Sequence, residues 1–227
     1  MSKVRAVICI ASFFICFVFP QSRVRSQSSD ASHSGVSKSA RYFPVGVFDK
    51  QTVHGSPRGA WYGRELAAMN EPSLFESRDD KKLHAYRFLW LRSFHRPVSV
   101  RLSINSGGDG FVVTKMTDGK GGRGGKLIVD SKINLDRSHI EEVMEKLQAL
   151  NFWSMQTEES SGTAERRDAL GQSKATIPHV DGAQWILEGA QNGKYHVVDR
   201  WSPGDSAYAR FCKHLLELGE VDEKDVY

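Results

Sequence analysis

Cysteine is scarce in this chain of 227 residues, which contains only Cys9, Cys16 and Cys212. Cys9 and Cys16 lie in an apolar run near the start, so removal of that run leaves Cys212 alone. A single cysteine cannot form a disulfide within the chain, which excludes a disulfide-stapled scaffold. The helical spacing of the apolar residues around Cys212 predicts that it is a buried apolar residue.

A long hydrophobic run is also missing. A membrane-spanning helix needs about 20 apolar residues, whereas the run over residues 6–19 has 14. Lys3 and Arg5 precede this run and polar residues follow it, an order typical of a secretory signal peptide over residues 1–26. We therefore expect an exported protein, either periplasmic or secreted. Retention of residues 6–20 as a membrane anchor is the alternative.

An excess of charge of one sign disappears once the predicted leader is set aside. The chain holds 31 Lys and Arg against 27 Asp and Glu, and residues 1–26 contain four basic residues and no acidic one. The remainder is therefore balanced at 27 of each sign. A neutral chain gives no support for binding a phosphate backbone, so we expect no nucleic-acid partner. Membrane contact is expected only through an uncleaved N-terminal segment.

Signatures of known catalytic and metal centres are missing as well. The sequence has no G-x-S-x-G nucleophile motif, and its eight histidines form no recognised metal-ligand frame. We expect no metal and no cofactor. The stretch Gly119–Gly125 matches G-x-G-x-x-G, but a strand-like segment follows it instead of the required helix. We interpret it as a hairpin loop, with a loose anion site as the alternative.

Composition divides the chain into four parts. Residues 1–26 are the predicted signal peptide. Residues 27–58 are rich in Ser, Gly, Lys and Arg without apolar periodicity, which predicts a disordered linker. Residues 60–219 form a single predicted domain, and residues 220–227 a C-terminal tail.

Periodicity predicts an α+β domain, with an antiparallel sheet of about six strands and two main helices packed on one face. Residues 98–104 alternate between apolar and polar, as a half-buried strand does. Short links between strands favour antiparallel pairing, since parallel pairs need long crossovers. Helical spacing predicts helices over residues 137–150 and 203–218, with Ser138 and Ser202 at their N-termini.

The clearest local signal is Asn192-Gly193, which predicts a two-residue hairpin turn between two strands. Side chains alternate between the faces of a strand, so this turn places Glu188 and His196 on opposite faces. That geometry argues against a Glu188–His196 acid–base pair. Glu188 and Asp199 share a face and lie diagonally across the strands.

Two sets of candidate site residues follow from these patterns. A carboxylate pair of the glycosidase kind would use Glu188 and Asp199, assisted by His196 or Arg200. The candidate catalytic residues are Glu188, Asp199, His196 and Arg200. The candidate ligand-binding residues are Lys120, Arg123 and Lys126 of the glycine-rich loop, with Trp185 and Trp201. Trp185 faces Arg200 in the predicted register, a pair suited to a cation–π contact.

Four segments resemble a group of uncharacterised exported bacterial proteins: Glu71-Pro72-Ser73-Leu74, Tyr86–Leu102, Asp181–Gly189 and Tyr195–Pro203. The resemblance covers roughly residues 60–219. It supports the limits of the domain, and it implies neither an activity nor any catalytic residue.

For function, we favour an exported, non-catalytic module that binds a protein or a cell-envelope component. This hypothesis predicts an aromatic or apolar surface patch. A small exported hydrolase that uses the carboxylates of the C-terminal hairpin is one alternative, and it predicts a cleft where those groups converge. A membrane-tethered structural protein with an uncleaved N-terminus is another.

Overall fold

The computed structural model describes residues 41–48, 52–53, 56–120, 123–159 and 182–222. The predicted signal peptide over residues 1–26 lies outside these ranges. Within them, no helix has the length and apolar character needed to cross a membrane.

Eight strands and three α-helices make up the described part of the chain. In chain order they are β1 (Thr52–Val53), β2 (Ser56–Pro57), α1 (Arg58–Ala68), β3 (His84–Arg92), β4 (Val98–Ile104), β5 (Gly110–Thr117), β6 (Leu127–Leu135), α2 (Arg137–Ala149), β7 (Ala183–Gln191), β8 (Lys194–Trp201) and α3 (Ala207–Leu218). Strands β3 to β8 form one antiparallel sheet in the order β6-β5-β4-β3-β7-β8. The predicted α+β fold with a six-stranded antiparallel sheet is confirmed.

Helices α2 and α3 pack on one face of the sheet, as predicted. Alternate residues of β3, namely Tyr86, Phe88 and Trp90, point toward them and are fully buried. The helices contribute apolar side chains three and four positions apart to the same core, which is the stripe expected of an amphipathic helix. The main helical contributors are Ile140, Val143, Leu147, Phe211, Cys212 and Leu215. Cys212 is therefore a buried apolar residue, as predicted.

Helix α1 covers the opposite face, together with residues 41–48. Trp61, Tyr62 and Leu66 pack on the apolar side chains that β3, β7 and β8 present on this face. Phe43 and Phe48 join the same cluster and are only 5% and 7% exposed. Residues 41–48 fall within the predicted linker over residues 27–58, and these two aromatic rings pack them against α1.

The hairpin of β7 and β8 has the predicted register. Asn192 and Gly193 have φ angles of 52° and 79°, the left-handed conformation that a type I′ turn requires at both central positions. Glu188 pairs with Val197, and Gly189 pairs with His196. Glu188 and His196 therefore point to opposite faces of the sheet.

Both predicted N-caps are wrong by a few residues. Helix α2 is capped by Asp136, whose carboxylate accepts the backbone N–H of the third helical residue, while Ser138 donates its hydroxyl to Asp136. Helix α3 is capped in the same way by Ser206. Ser202 instead has φ 39° and accepts a backbone N–H from the start of β7. An aspartate or serine that caps a helix stabilises it by about 1 kcal/mol.

Gly189 is the point where the ring of Phe152 lies against β7. A Cβ at this position would lie 2.6 Å from Phe152 Cε1 and 2.9 Å from Tyr86 Cδ1. We therefore expect Gly189→Ala to lower the free energy of unfolding by about 1–3 kcal/mol, because the methyl group overpacks the core. Chemical denaturation measures the change. Gly124→Ala is the matched control, since its nearest non-local side-chain contact would be 3.5 Å away; equal effects of the two changes would contradict the prediction.

Candidate functional site

Residues 41–48 and the outward side of α1 enclose a cleft of about 690 Å³, which we call the arm cleft. This volume falls within the range of about 300–1,000 Å³ that is usual for ligand pockets. The walls are formed by residues 41–48 on one side and by residues 57–60, 63, 64 and 67 on the other.

Two glycines of α1 allow residues 41–48 to approach the helix closely. A Cβ on Gly59 would lie 3.2 Å from the Phe48 ring, and a Cβ on Gly63 would lie 3.4 Å from the Tyr42 ring. Phe48 also meets the ring of Tyr62 edge-to-face, with 5.2 Å between the ring centroids. Edge-to-face aromatic pairs are favourable beyond their buried area. The wall of the cleft is therefore fixed to the helix by aromatic packing.

The arm cleft is cationic. Arg41, Arg58 and Arg64 line it, and its described lining contains no Asp or Glu. Arg41 and Arg64 are exposed, whereas the side chain of Arg58 is mostly buried. An exposed guanidinium can bind a carboxylate through two parallel N–H···O bonds. The cleft therefore combines aromatic and aliphatic walls with two exposed cations.

The Arg58 guanidinium is held in place by the buried carboxylate of Asp199. Its Nη1 lies 3.1 Å from Asp199 Oδ2 and also contacts the Glu158 carboxylate. The Tyr62 hydroxyl donates to the same Asp199 oxygen at 2.8 Å. Burial raises the pKa of Asp199 to about 6, although the bonds from Tyr62 and Arg58 oppose this shift. Asp199 thus fixes the position of Arg58 and does not itself line the cleft.

Glu188 lies on the same face of the sheet but in a separate, fully buried ion pair. Its Oε1 accepts bonds from Arg87 Nε at 2.9 Å and Nη2 at 2.7 Å, and its Oε2 accepts the Tyr195 hydroxyl at 2.8 Å. Burial raises the pKa of the Glu188 carboxyl, and the charge of Arg87 opposes that shift. Arg87 also contacts Glu71 at 3.3 Å. The four side chains are closed off from solvent in the described structure, apart from part of Tyr195.

His196 and Arg200 occupy the opposite face. The His196 ring packs edge-to-face on Phe152, with centroids 5.1 Å apart, and burial lowers its pKa. Arg200 donates to the backbone carbonyls of Gln156 and Thr157 at 2.9 and 3.0 Å. The four candidate catalytic residues are therefore divided, with Glu188 and Asp199 on one face of the sheet and His196 and Arg200 on the other.

The candidate ligand-binding residues are dispersed as well. Lys120, Arg123 and Lys126 are exposed around a loop whose residues 121–122 lie outside the described ranges. Trp185 is only 1% exposed and packs against Phe88 and Trp90 in the core. Trp201 is partly exposed. No group of three or more potential metal ligands occurs among the residues that the structure describes.

Helix α1 also carries a buried acid that sequence reasoning missed. Glu65 is 1% exposed, and burial raises its pKa to about 7. The indole N–H of Trp61 and the backbone N–H of Gly124 donate to this carboxyl and oppose the shift. The end of the glycine-rich loop is thereby joined to α1. The sequence signal for Glu65 is its place on the apolar stripe of the helix, between Trp61 and Met69.

The arm cleft was also missed, because its wall falls within the predicted linker. The sequence signal for the cleft is the pair Phe43 and Phe48, because two aromatic residues in so short a stretch are atypical of a disordered segment.

Comparisons with known proteins found no protein family, no curated protein and no solved structure that matches the chain. The geometry of the arm cleft is therefore the basis for a functional assignment.

Proposed function

We propose that this protein is a non-catalytic binding module whose arm cleft takes an acidic segment of a partner protein. The observation that carries this proposal is the lining of the cleft, with the two exposed arginines Arg41 and Arg64 and no described carboxylate among aromatic and aliphatic side chains. Guanidinium groups recognise carboxylates through paired hydrogen bonds, and the apolar walls suit neighbouring hydrophobic side chains of the partner. The cleft thus fits a segment in which acidic and apolar residues alternate.

The hydrogen bonds that hold the two candidate catalytic carboxylates, Glu188 and Asp199, support a non-catalytic role. A general acid or base must reach the proton that it transfers, directly or through one water. Glu188 is bound by Arg87 and Tyr195, and Asp199 by Arg58 and Tyr62, all within the interior. These bonds make the two carboxylates structural supports of the sheet and of α1.

We also propose that the module acts after export. The support is the predicted signal peptide over residues 1–26, with its basic start and short apolar run. On this proposal the partner is another exported protein or a component of the cell envelope that carries an acidic peptide.

The proposal is tested with a fluorescein-labelled peptide of alternating glutamate and leucine. Fluorescence polarisation should show saturable binding that weakens as salt is added, because exposed charges are screened. We expect Arg64→Glu to weaken binding at least about 10-fold, since a hydrogen bond to a charged group is worth about 1.5–3 kcal/mol. Arg41→Glu should have an effect of the same direction.

Arg96→Glu is the matched control, because Arg96 is exposed in a loop outside the cleft and the change in net charge is the same. A second peptide, with lysine in place of each glutamate, should not bind. Equal affinity for the two peptides, or equal loss in Arg64→Glu and Arg96→Glu, would show that the cleft does not select an acidic partner.

A further inference from the structure

Strand β6 forms one edge of the sheet. It has nine residues and, in the described structure, its strand partner is β5 alone. Among the described residues, no strand pairs with the outer row of its backbone N–H and C=O groups, which is the row that an edge strand offers to another strand. The other edge differs, because residues 157–158 run along β8 and the N–H of Asp199 donates to the Thr157 carbonyl at 2.7 Å.

We propose that β6 pairs antiparallel with β6 of a second copy of this chain, about a two-fold axis at Ser131. Such pairing joins the two sheets into one continuous sheet. Ser131 is exposed and lies at the middle of the strand. The two-fold axis is perpendicular to the sheet, so α2 of each copy lies on the same face of the joined sheet.

The sequence of β6 is complementary to itself in this register. Asp130 of each copy faces Lys132 of the other, so opposite charges meet twice, on the face away from α2. Val129 faces Ile133 on the face toward α2, where both are partly buried. Cross-strand pairs of opposite charge and of apolar residues stabilise a sheet, and like charges directly opposite destabilise it.

Neighbouring registers lack this complementarity. A two-fold axis at Asp130 would place the two Asp130 carboxylates opposite each other, and an axis at Lys132 would place the two ammonium groups opposite each other. Several registers keep the apolar residues on one face of the joined sheet. Of these, the register centred on Ser131 is the one that places Asp130 opposite Lys132.

Both charged side chains are already held over the sheet by their own strands. The Lys132 ammonium lies 3.7 Å from the centroid of the Phe111 ring. The Asp130 carboxylate lies 3.9 Å from Lys115 Nζ. These contacts restrict the two side chains before association, which lowers the entropy cost of pairing them.

Cross-linking at the axis tests the proposal directly. The full chain carries Ser131→Cys together with Cys9→Ser and Cys16→Ser, so that the engineered thiol and the buried Cys212 remain. Treatment with a short bifunctional thiol cross-linker should give a covalent dimer on a denaturing gel. Asn134→Cys is the control on the same strand: its two thiols would be about 20 Å apart in this register. No dimer with Ser131→Cys, or equal yields from both variants, would overturn the proposal.

Exchange of the charges tests the register. We expect sedimentation analysis to show a wild-type dimer whose dissociation constant rises about 10-fold in Lys132→Asp, because two attractive pairs become repulsive. The double variant Asp130→Lys/Lys132→Asp restores the opposite pairing and should restore the dimer. Circular dichroism checks that each variant is folded. A wild-type protein that stays monomeric, or a double variant no tighter than the single one, would overturn the proposal.

Discussion

Glu188→Leu is expected to lower the free energy of unfolding by about 3–5 kcal/mol, because it leaves the Arg87 guanidinium charged and deprived of its main partner in the interior. Arg87 and Glu188 have no exposed side-chain surface, and two of the Arg87 nitrogens bond to Glu188 Oε1. Arg87 would keep a bond to the Pro72 carbonyl at 2.6 Å and a longer contact with the Glu71 carboxylate at 3.3 Å. Equilibrium denaturation in urea, followed by tryptophan fluorescence, measures the loss.

The double variant Arg87→Met/Glu188→Leu should recover most of that loss. It removes both charges at once and replaces them with apolar side chains of similar size, a change that is often neutral in other proteins. Glu71 keeps Arg101 as a partner at 2.9 Å in this variant. Recovery in the double variant would identify the penalty as that of an unpaired buried charge.

Glu142→Leu is the control for these variants, since Glu142 forms an exposed pair with Lys146 on α2. Exposed pairs contribute at most about 1 kcal/mol. A Glu188→Leu protein as stable as the Glu142→Leu protein would contradict the structural role of Glu188. It would also favour the hydrolase hypothesis, because replacement of a catalytic carboxylate need not lower the free energy of unfolding.

The free energy of unfolding is expected to fall by about 3 kcal/mol between pH 4.5 and 7 on account of Glu65. Its pKa is about 7 in the folded protein and 4.5 as its ordinary value. The folded state therefore binds more protons than the unfolded state in this interval, and stability decreases as the pH rises. One pKa unit corresponds to about 1.4 kcal/mol. Asp199 contributes with the same sign between pH 3.8 and 6.

Glu65→Gln should remove this part of the pH dependence and should be more stable than the wild type at pH 8. The neutral amide oxygen can still accept the N–H groups of Trp61 and Gly124, and no charge is buried. Thermal unfolding between pH 4 and 8 measures both effects. Glu141→Gln, at an exposed position of α2, should leave the profile unchanged. An unaltered slope in Glu65→Gln would show that this carboxyl titrates normally.

Local signals in the sequence were sufficient for the hairpin. Asn192-Gly193 can adopt the left-handed conformation that a type I′ turn needs, so two residues determined the register of two whole strands. The helix N-termini were less predictable. Asp136 and Ser138, or Ser202 and Ser206, are all residues that can cap a helix, and the choice depends on how the preceding loop packs.

Sequence patterns did not predict which residues far apart in the chain contact each other. The hairpin register placed Glu188 on the right face, but its partner Arg87 comes from a strand 101 residues earlier. The alternation in β3 did offer a signal, because Arg87 stands among apolar residues and a charge there needs a partner. The arm cleft depends on Tyr42 and Phe48 meeting two glycines of α1. Such a contact leaves no periodic pattern in the sequence.

The position of β3 in the sheet has a consequence for the order of folding. One edge of β3 pairs with β4 across a short link, whereas the other edge pairs with β7, so that Phe88 contacts both Val100 and Leu187. Closing the longer connection costs more chain entropy, and contacts between distant residues slow folding. The meander from β3 to β6 can therefore form first, and docking of the β7–β8 hairpin, which completes the buried ion pair, is the late step.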